Sequence, residues 1–358
     1  MRFVKLKRHN NKQKHNVNYI LKDENALYFE CGFSCDNAVF LKLGSEAFFI
    51  TDPRYTTEAS EVIHGASVIE GDRRDLLKTA RLLIRKSGIK SLAYNPSEWS
   101  VDAYARLSDK LSIHFQEKPN FSQKKRMIKS EAELQTLKKA ALFGRDAFTR
   151  FGEFLKEGGL GLDEKMAHFE AESIFKYKGA LELSFSPIVA LGENAAKPHA
   201  LPTSKVLQHG ELVLLDAGVK YARYCSDRTR TSSFDEHFNF SKEQYFKNSF
   251  QQKVYDTVLR AQEAALNAVK VGVKAKEIDK AARDVIDQAG FGAFFIHSTG
   301  HGVGLDIHEL PVIGARSETI IEENMVFTIE PGIYLPEQFG VRIEDTIVVR
   351  SHGAEVMG

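Results

Sequence analysis

The sequence predicts two domains, a smaller α/β domain followed by a larger domain of α+β class. Three observations carry that prediction. The chain has 358 residues, more than one ordinary hydrophobic core organises. Near residue 120 the pattern breaks at KPNFSQKKRMIKS, a polar, basic stretch containing a proline. Beyond the break, helical segments alternate with runs that read as antiparallel hairpins, and neither GxGxxG nor GxxxxGK[ST] occurs. GHGVGL contains G-x-G-x-G but is followed by no helix, so it is a weak nucleotide signal. These observations divide the chain into domains at 1–122 and 128–358.

In the first domain, MRFVKLKRHNNKQKHN is basic and lacks an apolar segment, so it is not expected to be a secretory signal. ALYFECGF, NAVFLKL and AFFITD read as strands. Residues 74–88 have helical periodicity and stop at a glycine, SLAYN is a short strand, and VDAYARLSDKL is helical. In the second domain, Ser130 and Glu133 form a capping box, ahead of an apolar stripe of Leu134, Leu137, Ala141 and Phe148. Further helices are expected over 163–178, 241–270 and 275–289. SPIVALG, ELVLLDAGVKY, CSDRTRTSSF, AFFIHSTG, MVFTIEPGIYL and GVRIEDTIVVR read as strands.

Bulk composition narrows the function by exclusion. With 49 basic and 48 acidic residues, the net charge of +1 supplies no whole-chain field for nucleic acid or anionic lipid. No apolar run approaches the length that spans a bilayer. Three cysteines, Cys31, Cys35 and Cys225, are a sparse and odd set that suits a reducing cytoplasm, and the first two read as ordinary strand cysteines.

The chemistry concentrates late in the chain. HSTGHGVGLDIHE places His297, His301 and His308 among three glycines, although the whole chain has only 12 histidines. Upstream, Asp216 sits in an apolar strand and Asp227 in a second strand-like run. A turn near Tyr221 and Ala222 sets these two directly opposite each other, an arrangement of like charges that costs stability. A second hairpin with its loop around PEQF sets Glu330 opposite Glu344. Val326, Thr328 and Glu330 share one face by the period of two, as do Arg342, Glu344 and Thr346. Four buried carboxylates stay ionised together only when something positive neutralises them, and one or two divalent cations meet that need. A histidine flanked by Gly300 and Gly302 can enter such a crowded site, which makes His301 a fifth ligand candidate.

HSTGHGVGLDIHE, LLDAG, SDRTRT, FTIEPGIY and GVRIEDT, in that order, resemble the pita-bread metallopeptidases, and within them the proline-specific branch of Xaa-Pro aminopeptidase and prolidase. The first 120 residues, including FITDPRYTTEA, resemble that branch's creatinase-like amino-terminal domain. The resemblance implies a pita-bread catalytic domain with Asp216, Asp227, His301, Glu330 and Glu344 as ligands of two divalent metal ions. Manganese comes first, with cobalt, zinc or iron as alternatives. Asp227 and Glu344 would bridge the ions, Asp216 would chelate one, and His301 and Glu330 would hold the other. It further implies His199, His308 and Glu330 as catalytic residues, and His297 and Arg342 as substrate-binding residues. His168 and His209 match nothing in the family.

The function so implied is an Xaa-Pro aminopeptidase, releasing the residue that precedes proline from proline-containing peptides, as a cytoplasmic homodimer. The alternative within the same chemistry is prolidase, an Xaa-Pro dipeptidase. The alternative outside it is a non-catalytic binding scaffold on the same fold.

Overall fold

A computed structural model describes residues 17–358. The basic opening segment lies outside the described residues. The chain divides into two compact units, one ending at Arg126 and one beginning at Met127.

The first unit is a six-stranded mixed sheet with helices on both faces. In space its strands run Ser67–Glu70, Glu46–Thr51, Ala38–Leu43, Tyr19–Leu21, Ser91–Tyr94 and His114–Glu117. Alternation along the strands supplies two cores. Ile20, Val39, Leu41 and Ile50 pack with Leu77, Ala80 and Ile84 of the helix Leu76–Ser87. Tyr19, Leu21, Phe40 and Phe49 pack with Ala26 and Leu27 on the other face.

That second packing corrects one expectation. ALYFECGF is not a strand: residues Glu24–Cys31 are a helix. Asp23 caps it by accepting from the Ala26 N–H, and Gly32 closes it at φ 79°, so start and stop signals outweigh the strand preference of Tyr28 and Phe29. Cys31 therefore ends a helix. The polar stretch near residue 120 also folds, as the short helix Phe121–Arg126.

The second unit is α+β, as the alternation of helices and hairpins predicts. The capping box forms, with Ser130 Oγ accepting from Glu133 N–H and the Glu133 carboxylate accepting from Ser130 N–H. The helix runs over Glu131–Gly158 and buries Leu134, Leu137, Ala140 and Phe148, with Ala140 rather than Ala141 on the buried stripe. This helix and Glu164–Phe175 cover one face of the antiparallel sheet Ile188–Leu191, Leu212–Ala217 and Arg228–Ser233, through Phe148, Phe151, Phe175, Val213 and Leu215. A second helix pair, Ser249–Ala268 and Ala275–Gln288, packs on Phe327, Ile329, Val341, Ile343, Ile347 and Val349 of the later strands. Each fully buried Phe or Leu contributes about 1.5–3 kcal/mol.

Two other expectations shift. The helix expected from 241 begins at Ser249, where the Asn248 side chain accepts from the N–H groups of Phe250 and Gln251. AFFIHSTG is no strand. A short 3₁₀ turn at Gly292–Phe294 leads into an extended segment, and pairing starts only at Gly300. Helix Ala275–Gln288 holds that segment instead. Arg283 donates to the carbonyls of Phe295 and His297, and buried Asp279 accepts from the N–H and hydroxyl of Thr299. Among the described residues no helix is long and apolar enough to cross a membrane. All three cysteines are free thiols.

Candidate metal centre

Both hairpins form, and their carboxylates lie on the sheet faces turned away from the covering helices. In the first, Asp216 pairs with Thr229 and Ala217 with Arg228, so the register differs by two residues from the expected opposition of Asp216 and Asp227. The turn is the cause. It centres on Ala222 and Arg223, both at positive φ (47° and 71°), one residue later than the sequence suggests. A slip of two preserves the face, so Asp216 and Asp227 remain diagonal neighbours across Gly218. A Cβ at Gly218 would stand 1.8 Å from the Ser226 carbonyl oxygen, which explains the glycine.

The second hairpin has the expected register. Ile329 pairs with Asp345 and Gly332 with Arg342, so Glu330 faces Glu344 in the gap between two ladders. In that gap the Glu330 N–H donates to the Thr299 carbonyl (2.8 Å) and the Glu344 N–H to the Thr229 carbonyl (3.1 Å). His301 enters from Gly300–Gly302. A Cβ at Gly300 would meet the Thr328 carbonyl oxygen at 1.9 Å, so close backbone approach requires glycine there.

Ligand-type atoms of Asp227, His301 and Glu344 lie within 4.8 Å of one another. His301 Nε2 is 3.6 Å from Asp227 Oδ2 and 3.3 Å from Glu330 Oε1. Asp216 Oδ2 forms a 2.6 Å ion pair with Arg342, whose Nε donates to the Thr229 hydroxyl that in turn donates to Glu344. Burial, then Glu344, Asp216 and Glu330, push the Asp227 carboxyl well above its usual range. Burial, then Glu330 and Asp216, do the same to Glu344. Burial lifts Glu330 to about 8 against the opposing pull of Arg342. Burial pulls His301 down, which favours the neutral imidazole that ligates metals.

Two buried oxygens, Asp216 Oδ1 and Glu344 Oε1, have no hydrogen-bond partner. A buried carboxylate oxygen without a partner is costly unless a cation faces it. The donor set of hard carboxylate oxygens and one imidazole therefore fits divalent ions of the Mn, Co, Fe or Zn type.

The remaining predicted residues surround this centre. The His308 ring lies edge-on to His301, 4.3 Å between centroids. His308 is itself exposed, and its pKa is lowered by what burial it has and then by His301. His199 sits in an exposed turn next to Pro198. His297 Nε2 and Arg342 both bond the hydroxyl of Tyr334, each at 2.8 Å. The rest of the Arg342 guanidinium goes to Asp216, the Pro198 carbonyl and Thr229 Oγ1. His168 and His209 lie elsewhere, beside Glu172 and Phe234.

Sequence reasoning missed Tyr334, although the period of two places it on the face of Arg342. It also missed Thr229, whose hydroxyl donates to Glu344 Oε2 at 2.7 Å. Behind Glu344, buried Arg230, Asp345 and Gln262, joined by half-buried Lys242, brace the strand.

Residues 135–351 match Metallopeptidase family M24, and residues 2–128 match the Creatinase/Prolidase N-terminal domain. The chain belongs to metallopeptidase family M24. This M24 chain is 38% identical over 258 residues to an Xaa-Pro dipeptidase of Pyrococcus furiosus, covering 70% of each chain. It superposes on an Xaa-Pro dipeptidase from Bacillus anthracis with TM-score 0.87 and 34% identity, over 95% of this chain and 92% of that one. An X-Pro aminopeptidase from Thermotoga maritima gives TM-score 0.83 and 31% identity over 95% of each chain. The likeness therefore extends across the pita-bread unit and the creatinase-like unit alike.

Proposed function

We propose that this M24 chain is a metal-dependent Xaa-Pro dipeptidase of prolidase type. The observation that carries the hydrolytic reading is the convergence of His301 and four carboxylates with two orphaned, buried oxygens. The same observation disfavours a non-catalytic scaffold, which has no use for buried carboxylate oxygens left without partners. The choice of dipeptidase over aminopeptidase moves away from the expectation drawn from the motifs. It is supported by the names of the relatives at 38% identity and at TM-score 0.87.

In this proposal Asp216, Asp227, His301, Glu330 and Glu344 would hold two divalent ions. Bound there, the ions supply Lewis acidity near neutral pH. The chain's own groups do the rest. Thr328 donates to Glu330 Oε1 at 3.1 Å, which orients the carboxyl and leaves Oε2 to hold or pass a proton. His199 and His308 turn N–H groups toward the scissile carbonyl, where negative charge grows. Arg342 and Tyr334 fix Asp216 and His297, and the His297 edge borders the proline ring. The imide before proline offers no N–H, so a site shaped for that ring misplaces other residues. Manganese occupancy, homodimerisation and a cytoplasmic location complete the proposal.

Gly-Pro, Gly-Ala and Gly-Pro-Gly, offered at matched concentration with added Mn, test it. Cleavage of Gly-Pro with the tripeptide untouched is the expected result. Cleavage of the tripeptide returns the assignment to an aminopeptidase. Equal cleavage of Gly-Ala removes the proline requirement, and metal-free protein after dialysis against Mn overturns the hydrolytic reading.

A further inference from the structure

Glu164 is a carboxylate apart from the acidic pairs and is wholly buried. It is the first residue of helix Glu164–Phe175, following the N-cap Asp163. Its Oε1 accepts from Leu191 N–H at 2.7 Å. Its Oε2 accepts from Asn194 Nδ2 (2.8 Å), Thr203 N–H (2.7 Å) and Thr203 Oγ1 (2.5 Å). An ionised carboxylate is acceptor-only, with about four lone-pair sites, and here donors alone fill them. The Thr203 hydroxyl accepts from Lys205 N–H at 3.1 Å, which commits its proton to Glu164. An amide in place of the carboxylate would turn its own N–H groups toward donors.

Leu191 and Thr203 are the two ends of one loop, so a single side chain closes its neck. Asn194 reinforces the closure, with Nδ2 also donating to the Leu201 carbonyl and Oδ1 accepting from Lys197. The middle of the loop faces the centre. The Pro198 carbonyl accepts from Arg342, which holds Asp216, and His199 follows directly. His199 stands within electrostatic reach of both His297 and His308. Beyond that point the tip is open to solvent, with Leu201 80% exposed.

We infer that Glu164 is a positioning residue, whose buried carboxylate closes the loop 191–203 and so sets where His199 stands relative to His297 and His308. The kinetic consequence rests on the peptidase reading above; the closure itself does not. A carboxylate apart from the centre thereby controls a group beside it, because misplacement by about 1 Å costs on the order of 10²-fold in rate.

The test uses the full chain with added Mn and compares Glu164→Gln, His199→Ala and the double variant. Glu164→Gln should lower kcat on Gly-Pro by about 10²-fold with little change in KM, the signature of lost transition-state contact. In the His199→Ala background the same change should cost almost nothing further, because both act through one group. Amide hydrogen exchange should rise in 191–203 while the strand Leu212–Ala217 keeps its protection. Should Glu164→Gln fail to fold, Thr203→Val removes one donor and should give the same pattern, weaker. Unchanged kcat, losses that multiply in the double variant, or exchange that rises everywhere each overturn the inference. If the wild type cleaves no Xaa-Pro peptide, the peptidase reading fails, and the exchange measurement alone decides whether Glu164 closes the loop.

Discussion

The two hairpins that supply the carboxylates share a plan and differ in how acid meets acid. Each is interrupted at its acidic pair, with one ladder before the gap and one after it. In the second hairpin Glu330 and Glu344 face each other across the gap. In the first, Asp216 faces Thr229, and Asp227 stands a step away beyond Gly218. Asp216 is paired to Arg342, an arginine that comes from the second hairpin. The opposed glutamates have no such partner, and burial with mutual repulsion drives Glu344 and Asp227 far up. The arginine thus meets part of the demand for cations at Asp216 alone, and the demand stays with Asp227 on the first hairpin as it does with Glu344 on the second.

The largest effect should come from removing the carboxylates at the centre of that demand. Asp227→Ala and Glu344→Ala should each lower turnover by at least about 10³-fold and strip metal, read by kcat/KM and by metal stoichiometry after dialysis. Asp216→Asn, whose partner is an arginine, should retain more metal than either; equal loss from all three would erase the distinction that the Arg342 pair draws between Asp216 and the other carboxylates. His308→Ala and His199→Ala come next, with about 10²–10³-fold lower kcat and metal content unchanged, and a change confined to KM would remove them from the catalytic set.

Metal-free protein should respond to pH with a sign set by these groups. Asp227, Glu330 and Glu344 bind protons more tightly folded than unfolded, Glu330 titrating near 8, so their contribution to stability falls as pH rises from the ordinary carboxylate range. His297, His301 and His308 are lowered and act oppositely, but only below their ordinary value of 6.5. Between pH 6.5 and 8 the melting temperature of the metal-free protein should therefore fall, and added Mn should reverse the trend. The smallest effects belong to the turns. Ala222 and Glu337 sit at φ 47° and 60°, where a side chain costs about 1 kcal/mol, so Ala222→Gly and Glu337→Gly should each raise stability by roughly that amount without touching kcat.

How legible this was depended on which physical signal each feature left. Register in the second hairpin was readable because PEQF marks its loop and the alternation runs unbroken on both sides. In the first, Tyr-Ala-Arg-Tyr contains no glycine, asparagine or proline, so the turn left no chemical mark and its position slipped by one. The faces survived the slip because a register shift of two leaves every side chain on its side of the sheet. Glu24–Cys31 was misread on aromatic content although Asp23 and Gly32 bracket it as caps. The 292–299 segment was misread because what holds it extended is Asp279 and Arg283, distant in sequence. Glu164 lies in no motif and Tyr334 only closes FTIEPGIY, and the roles of both lie in contacts made only once the chain has folded. The proline-specific branch was legible in the motifs, but the dipeptidase emphasis came from similarity across the whole chain.

The break in each ladder has a consequence for the order of events in folding. The centre draws on residues 216, 227, 301, 330 and 344, and the backbone N–H groups freed at the second gap are satisfied by the carbonyls of Thr299 and Thr229 from elsewhere in the chain. No local segment of the nascent chain holds more than two of these groups. Contacts of such long sequence separation form late, after loop closure has been completed elsewhere. A cation offered to the unfolded chain therefore finds no site to organise, and its stabilisation enters after the rate-limiting barrier. Metal should leave the folding rate nearly unchanged and slow unfolding, so that occupancy lengthens the lifetime of the native state.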